Sequence, residues 1–466
     1  MKKYLSILTI TVAALLVGCS DSLDRFPVDQ LVEETAFRTV DDLQLGLNGA
    51  IGGYSPNQLV AFNSIFTDNA GLGVDNGGQE LNTLNQIINA DGGDRGLWFA
   101  RYGTMNDFNR LFASAATITP TVAQQDQYNN ILAQAHAFRA LMHYELLLYY
   151  GLDMTDPSSG GVPYVDYVSA TATPGRNTTG EVLTAINADL DAALALFPTG
   201  FSDINFATPD FVTFLRARIA LETGDNTGAI GFATSIISNY PLATPTQYFD
   251  MFNEDANSTE VIWRYDSVQG SNLGLNFTWN FTGPGPFIEM STELANLLPP
   301  SDIRRTVNID PASTPADDIY IIGKYPINAD TQAINDFKAM RVSEAYLIRA
   351  EALARGSQFG PAADDVFAVR SIRDGAAVLP SYPNVSMALT DILAERRLEL
   401  AFEGHRYTDI KRMRSVLNEG IERSDLDCGG AIPCSLSQNS EKFTFPIPTA
   451  ELNANPVIAA QQAPGY

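Results

Sequence analysis

The chain has 466 residues, and 54 acidic against 29 basic side chains leave it a formal charge of −25. So negative a surface repels phosphates, which argues against nucleic acid or anionic lipid headgroups as partners. Only three histidines occur, His136, His143 and His405. They are too few for a multi-histidine metal site or a nucleophilic triad, and no glycine-rich phosphate loop accompanies them.

Lys2 and Lys3 precede an apolar run from Leu5 to Val17. That run falls short of the roughly 20 residues a membrane span needs, so it reads as a secretory signal. Leu16-Val17-Gly18-Cys19 matches the bacterial lipobox. The pattern predicts a signal peptide over 1–18 and a mature chain over 19–466, with acyl chains on Cys19. Each buried CH₂ of such chains contributes about 0.8 kcal/mol to anchoring. Ser20, Asp21 and Asp24 resemble the acidic signal that sends some lipoproteins to the exterior face of the outer membrane.

Helical periodicity then recurs along the chain. In 126–150, Ile131, Ala135, Phe138, Met142 and Leu146 repeat at three- and four-residue steps. An amphipathic helix follows over 179–197. Block 209–238 divides at Gly224-Asp225, which predicts a helix hairpin whose second arm carries Gly228, Ala229, Gly231 and Ala233. Block 336–373 repeats the plan with a break at Gly356, its first arm apolar nearly all round and so expected to be buried. Helices are expected over 387–403 and 405–418, and short strands at 260–265 and 319–325. Such hairpins are of the tetratricopeptide kind, in degenerate form. The fold class is therefore mainly α, a helix-hairpin scaffold with a few short strands. Irregular stretches at 67–97, 151–178 and 266–335 interrupt it, and loops this long are usually functional or disordered. Cys428 and Cys434 are left after Cys19 and read as one local disulfide, since no histidine stands near for zinc.

Several segments together resemble the SusD/RagB family of starch-binding-type outer-membrane lipoproteins. They are LDRFPVDQLVEETAFRTVDDLQLGLNGAIGGY (23–54), AHAFRALMHYELLLYYG (135–151), MRVSEAYLIRAEALAR (340–355), ILAERRLELAFEGHRYTDIKRM (392–413) and the ending FPIPTAELNANPVI with Pro-Gly-Tyr. The resemblance implies a non-catalytic surface receptor that binds oligosaccharide and hands it to a SusC-like TonB-dependent transporter. In some branches the ligand is a peptide. It implies no cofactor.

Sugar recognition needs flat aromatic faces beside amides or carboxylates. Asn276, Phe277, Thr278, Trp279, Asn280 and Phe281 supply both. If the run is extended, Phe277, Trp279 and Phe281 share a side, either as a binding platform or as a core face. The 67–97 loop offers Asn69 and Asp75 for hydrogen bonding, with Asp68, Asn76 and Glu80, but no aromatic side chain before Trp98. Glu395, Glu399 and Glu403 line one helix face. Glycoside hydrolysis needs two carboxyl groups flanking a bond, so a row beside Arg396, Arg397 and Arg406 predicts ion pairs instead.

Overall fold

Residues 37–91, 95–267, 274–279, 285–326, 335–428 and 432–466 are described by a computed structural model. Cys19 and the expected signal peptide lie outside them, as do Asn280 and Phe281.

Local sequence accounts for where many helices begin. α1 (Val40–Gly52) starts at Thr39, whose hydroxyl accepts from the Asp42 N–H while the Asp42 carboxylate accepts from the Thr39 N–H. Two of the orphan donors of a helix start are satisfied at once. α2 (Asn57–Ile65) follows, then α3 (Arg95–Ala115) and α4 (Gln125–Tyr150). Most of α4 is buried, because α1, α3 and α5 (Thr179–Leu196) all pack against it. Thr178 and Glu181 form a second capping box at the head of α5.

The hairpin expected at 209–238 forms from α6 (Pro209–Thr223) and α7 (Asn226–Asn239). Gly224 closes α6 at φ +77°, a left-handed conformation that favours glycine, and Asp225 caps α7 by accepting from the Gly228 N–H. α8 (Pro245–Asn253) leads to β2 (Val261–Tyr265); the earlier β1 (Ala70–Leu72) and the later β3 (Ile288–Met290) belong to the functional region below.

One expectation is corrected here. The apolar run from 336 is not helical throughout: Phe337–Arg341 forms β4, paired antiparallel with β2 through Val261↔Arg341 and Tyr265↔Phe337. A short run buried on every side suits either state, and the partner strand decides between them. The chain then turns into α9 (Val342–Arg355), α10 (Phe359–Arg373), α11 (Val385–Glu399) and α12 (Arg406–Leu417). Segment 319–325 contributes isolated bridges, Ile309↔Ile322 and Thr314↔Ile319, and no full strand. A last small ribbon pairs β5 (Ile421–Glu422) with β6 (Ser435–Leu436).

The architecture is mainly helical. A main apolar core runs from Val40 and Leu43 through Phe138 and Trp263 to Ile458, and a smaller one fills the space among α9, α10, α11 and Met413 of α12. Among the described residues no helix is long and apolar enough to cross a membrane.

Candidate functional site

An open cleft of about 850 Å³ lies where α2 meets two of the irregular stretches. Its walls come from the head of α2 (Asn57, Gln58, Phe62), from the loop through Gly78, Gln79, Leu81 and Asn82, and from Phe277, Thr278 and Phe287.

Pairing of β1 with β3 brings the two stretches together, in the register Ala70↔Met290 and Leu72↔Ile288. Beyond the strands, Gly73 N–H donates to the Phe287 carbonyl at 3.1 Å and Asp75 N–H to Pro286 at 3.2 Å. A Cβ on Gly73 would stand 2.3 Å from the Pro286 oxygen, so this approach requires glycine. Asn76 ties the loop further: its amide donates to Phe287 O (2.7 Å) and Gln79 O (2.9 Å), and its oxygen accepts from Gly78 N–H. Val74 N–H donates to Glu289, whose carboxyl burial pushes up in pKa. Gly78, Glu80 and Gln86 all hold positive φ (109°, 56° and 52°). Two of these are not glycine, and such strain persists only where surroundings over-determine it, often at ligand clamps.

The back of the loop is held by Arg423. Its guanidinium donates to the carbonyls of Ile65, Phe66, Thr67, Leu84 and Pro433, all between 2.7 and 3.1 Å. The first of these are orphan acceptors at the C-terminal end of α2. One side chain thus fixes the end of α2 to the floor of the cleft loop.

Aromatic rings form the cleft's base. Phe62 stacks on Phe66 (centroids 4.7 Å, 24°) and meets Phe445 edge-on (4.7 Å, 82°), so its ring is held rigidly. Around it stand the amides of Asn57, Gln58, Gln79 and Asn82, the exposed side chain of Leu81, and Glu80 as the single charged group of the described lining. Rigid apolar faces ringed by adaptable hydrogen-bonding groups are what a sugar or a comparable polar ligand needs.

The structure separates the residues expected from sequence. Phe277 and Thr278 line the cleft. Trp279 does not: it is wholly buried, edge-on to Phe402. The physical reason is that Leu275–Thr278 is a 3₁₀ turn and not an extended strand, so Phe277 and Trp279 leave it in different directions. Asn276 is buried too, at 5 % exposure, which removes it from any ligand surface. Asn69 is likewise corrected to a structural role, because its side-chain oxygen accepts from the Arg397 guanidinium at 3.1 Å and its carbonyl from Ser291 N–H. Asp75 is exposed on the same loop but does not line the cleft. Asn280 and Phe281 fall outside the described residues.

Asn57, Gln58, Phe62 and Leu81 escaped the sequence reading. The signal available was a Pro56-Asn57-Gln58 helix start with an aromatic one turn later, on the same side.

Cys428 and Cys434 are joined by a disulfide, with Cα atoms 5.1 Å apart. Asp427, next to it, accepts from Ser291 and from the Thr292 N–H, which docks this segment against the end of β3.

Glu395, Glu399 and Glu403 are buried in an ion network. Arg304 reaches Glu395 (2.6 Å), Arg341 reaches Glu399 (3.0 Å) and Glu403 (2.7 Å), Arg373 reaches Glu399 (3.1 Å), and Lys324 reaches Glu403 (2.6 Å). None of the three borders the cleft, so they serve the fold and cannot flank a substrate there.

Two family descriptions match the chain, "SusD family" over residues 319–466 and "Starch-binding associating with outer membrane" over residues 30–209. The chain belongs to the SusD family. SusD-like protein P2 of Formosa agariphila is 26 % identical along the full length of both chains. A SusD superfamily protein from Bacteroides thetaiotaomicron superposes with a TM-score of 0.76 at 22 % identity, covering 92 % of this chain and all of that one. A SusD-like carbohydrate binding protein from Bacteroides vulgatus does so at 0.75 and 20 %, covering 91 % of this chain and 98 % of that one. At these identities the SusD structures establish the fold of this chain and leave its ligand to the chemistry of the cleft.

Proposed function

We propose that this SusD-family protein is a non-catalytic receptor that holds an oligosaccharide in the cleft between α2 and the 78–83 loop. It then passes the ligand to a TonB-dependent transporter, beside which lipid on Cys19 tethers it at the outer membrane, facing outward. The observation that carries the reading is the convergence of the rigid Phe62 ring, Phe277 and a rim of amides on one open cleft of about 850 Å³. The apolar side of a pyranose lies on such rings while its hydroxyls exchange hydrogen bonds with the amides. The described names of its relatives, "starch-binding" and "carbohydrate binding", support the same class of ligand.

The described lining supports binding without chemistry. Glu80 is its one carboxylate among the described residues, and hydrolysis of a glycosidic bond uses two. Affinity electrophoresis through gels containing a panel of glycans, run beside binding measurements on a peptide mixture, tests the proposal. Retardation by at least one glycan, with no new reducing ends released from it, is the expected result. Binding of peptide with retardation by none of the glycans overturns the sugar assignment.

A further inference from the structure

A second open cleft, of about 680 Å³, lies elsewhere on the molecule and shares no lining residue with the first. Its floor is the face of α12 that carries Lys411, Arg414 and Ser415, spaced i, i+3 and i+4 and so on one side of the helix. Residues 152–155 form one wall and 438–441 the other.

The charges on this floor are unevenly compensated. Arg412 is fully paired, reaching Glu222 (2.5 Å), Glu351 (2.9 Å) and Asp409 (2.8 Å). Its neighbours are not. Lys411 Nζ donates to the Leu148 carbonyl at 2.7 Å, and among the described residues no carboxylate stands within ion-pair distance of it. Arg414 donates to the carbonyls of Gln438 and Ser440 and lies over the Phe443 ring at 4.6 Å, again with no carboxylate partner among them. Burial pushes the Lys411 ammonium down to about 8, against the opposing charges of Glu222 and Asp153, and lowers Arg414 as well, against that of Asp153. The acids of the lining are otherwise engaged or peripheral. Glu222 is committed to Arg412, Asp153 accepts from the N–H and hydroxyl of Thr155, and Glu441 sits beside Gly465 at the rim. Two partly desolvated cations with no carboxylate at ion-pair distance, Glu222 and Asp153 acting on them only from further off, leave room at this floor for a negative group.

We propose that this second cleft binds an oxyanion, the carboxylate of an acidic sugar or a sulfate group, between Lys411 and Arg414, with the Ser415 and Ser440 hydroxyls as further donors. Such a site gives the protein a contact with charged ligand that is independent of the neutral, aromatic cleft. It stands whether or not that first cleft takes sugars.

The test is calorimetric titration at constant ionic strength in a chloride background, using sodium sulfate, sodium glucuronate and glucose as probes. Saturable binding of sulfate, of glucuronate or of both is expected, with none for glucose. Glucuronate alone identifies a sugar carboxylate as the source, and sulfate alone a free or esterified sulfate. Lys411→Met and Arg414→Gln should each weaken the anion at least tenfold, while Lys411→Arg keeps most of the affinity. Should the Lys411→Met chain fail to fold, Ser415→Glu replaces it, since Ser415 is exposed and the added carboxylate repels the anion from the same face. Absence of saturable binding for both anions, or binding unmoved by these substitutions, overturns the proposal.

Discussion

Trp279 meets Phe402 edge to face, with ring centroids 5.6 Å apart and planes at 64°, while Phe277, two residues earlier, lines the cleft. The two aromatics therefore answer to different measurements. Trp279 is wholly buried, so Trp279→Ala should cost about 3–5 kcal/mol of stability, read as a large fall in the unfolding midpoint. Phe277 is half-buried at the wall, so Phe277→Ala should weaken glycan retention with a small change in midpoint. If the tryptophan variant unfolds like the parent, the core assignment is wrong.

Arg423 offers a second separation of roles. Removing its guanidinium, as in Arg423→Met, takes a donor from five carbonyls, of which, among the described residues, Phe66 alone keeps another, a long bond from the Gln86 amide; four of the five lie at the end of α2 and on the cleft loop. Each buried acceptor so orphaned costs on the order of 1 kcal/mol or more. The expected result is faster amide exchange through 65–86, and lower stability overall. Unchanged exchange there would mean that β1 and Asn76 hold the loop without help.

Much of the scaffold could be read from the residues because its signals are local. Gly224-Asp225 marks a hairpin on its own, and the apolar spacing in 126–150 marks a helix whatever surrounds it. The Asp336–Arg341 run and the conformation of residues 276–279 were not legible, for the opposite reason. Each is apolar enough for several backbone states, and partners distant in the chain choose among them: β2 for the first, Phe402 and the 285–290 segment for the second. Asn69 was misread in the same way, since its partner Arg397 stands 328 residues on. The cleft is assembled from residues within 57–62 and 78–87, with Leu97, Phe277, Thr278, Phe287 and Phe445, so of its lining only Phe277, Thr278 and Glu80 could be picked out from their own neighbourhood.

The ion network below α11 sets a third expectation. Glu399 accepts from Arg304, Arg341 and Arg373 with essentially no exposure, and their charges hold its carboxyl well below the usual range against the opposing effect of burial. Glu399→Gln leaves three guanidinium groups under-compensated in the interior. Breaking a buried pair in this way costs about 3–5 kcal/mol. Urea titration at pH 7 should show it, with a lower midpoint and the same slope. A loss under about 1 kcal/mol would mean that Glu395, Glu403 and Glu260, the last reaching Arg341 at 2.8 Å, suffice.

Acid should destabilise the protein, starting above the carboxylate range. His143 is buried, and burial lowers its pKa to about 3; its Nδ1–H donates to the Arg139 carbonyl and its Nε2 accepts from Val165 N–H, which fixes the neutral tautomer. His405 is lowered to about 4, again first by burial, although Glu344 nearby opposes this. In the unfolded chain both titrate near 6.5. As pH falls below that value the unfolded state takes up protons that the native state refuses, so stability drops until the native groups titrate near 4 and 3. At pH 5 the loss is roughly 2 kcal/mol per histidine. Asp68, Asp409 and Glu399, all held low by arginines, extend the decline below the usual carboxylate range. Urea midpoints at pH 7.5, 6 and 5 should therefore fall steadily. In a His143→Gln chain, whose amide can still donate once and accept once, the slope over this window should be about half as steep. A flat profile from pH 7 to 5 would show that one or both rings take up a proton without unfolding, through water admitted to the space they fill.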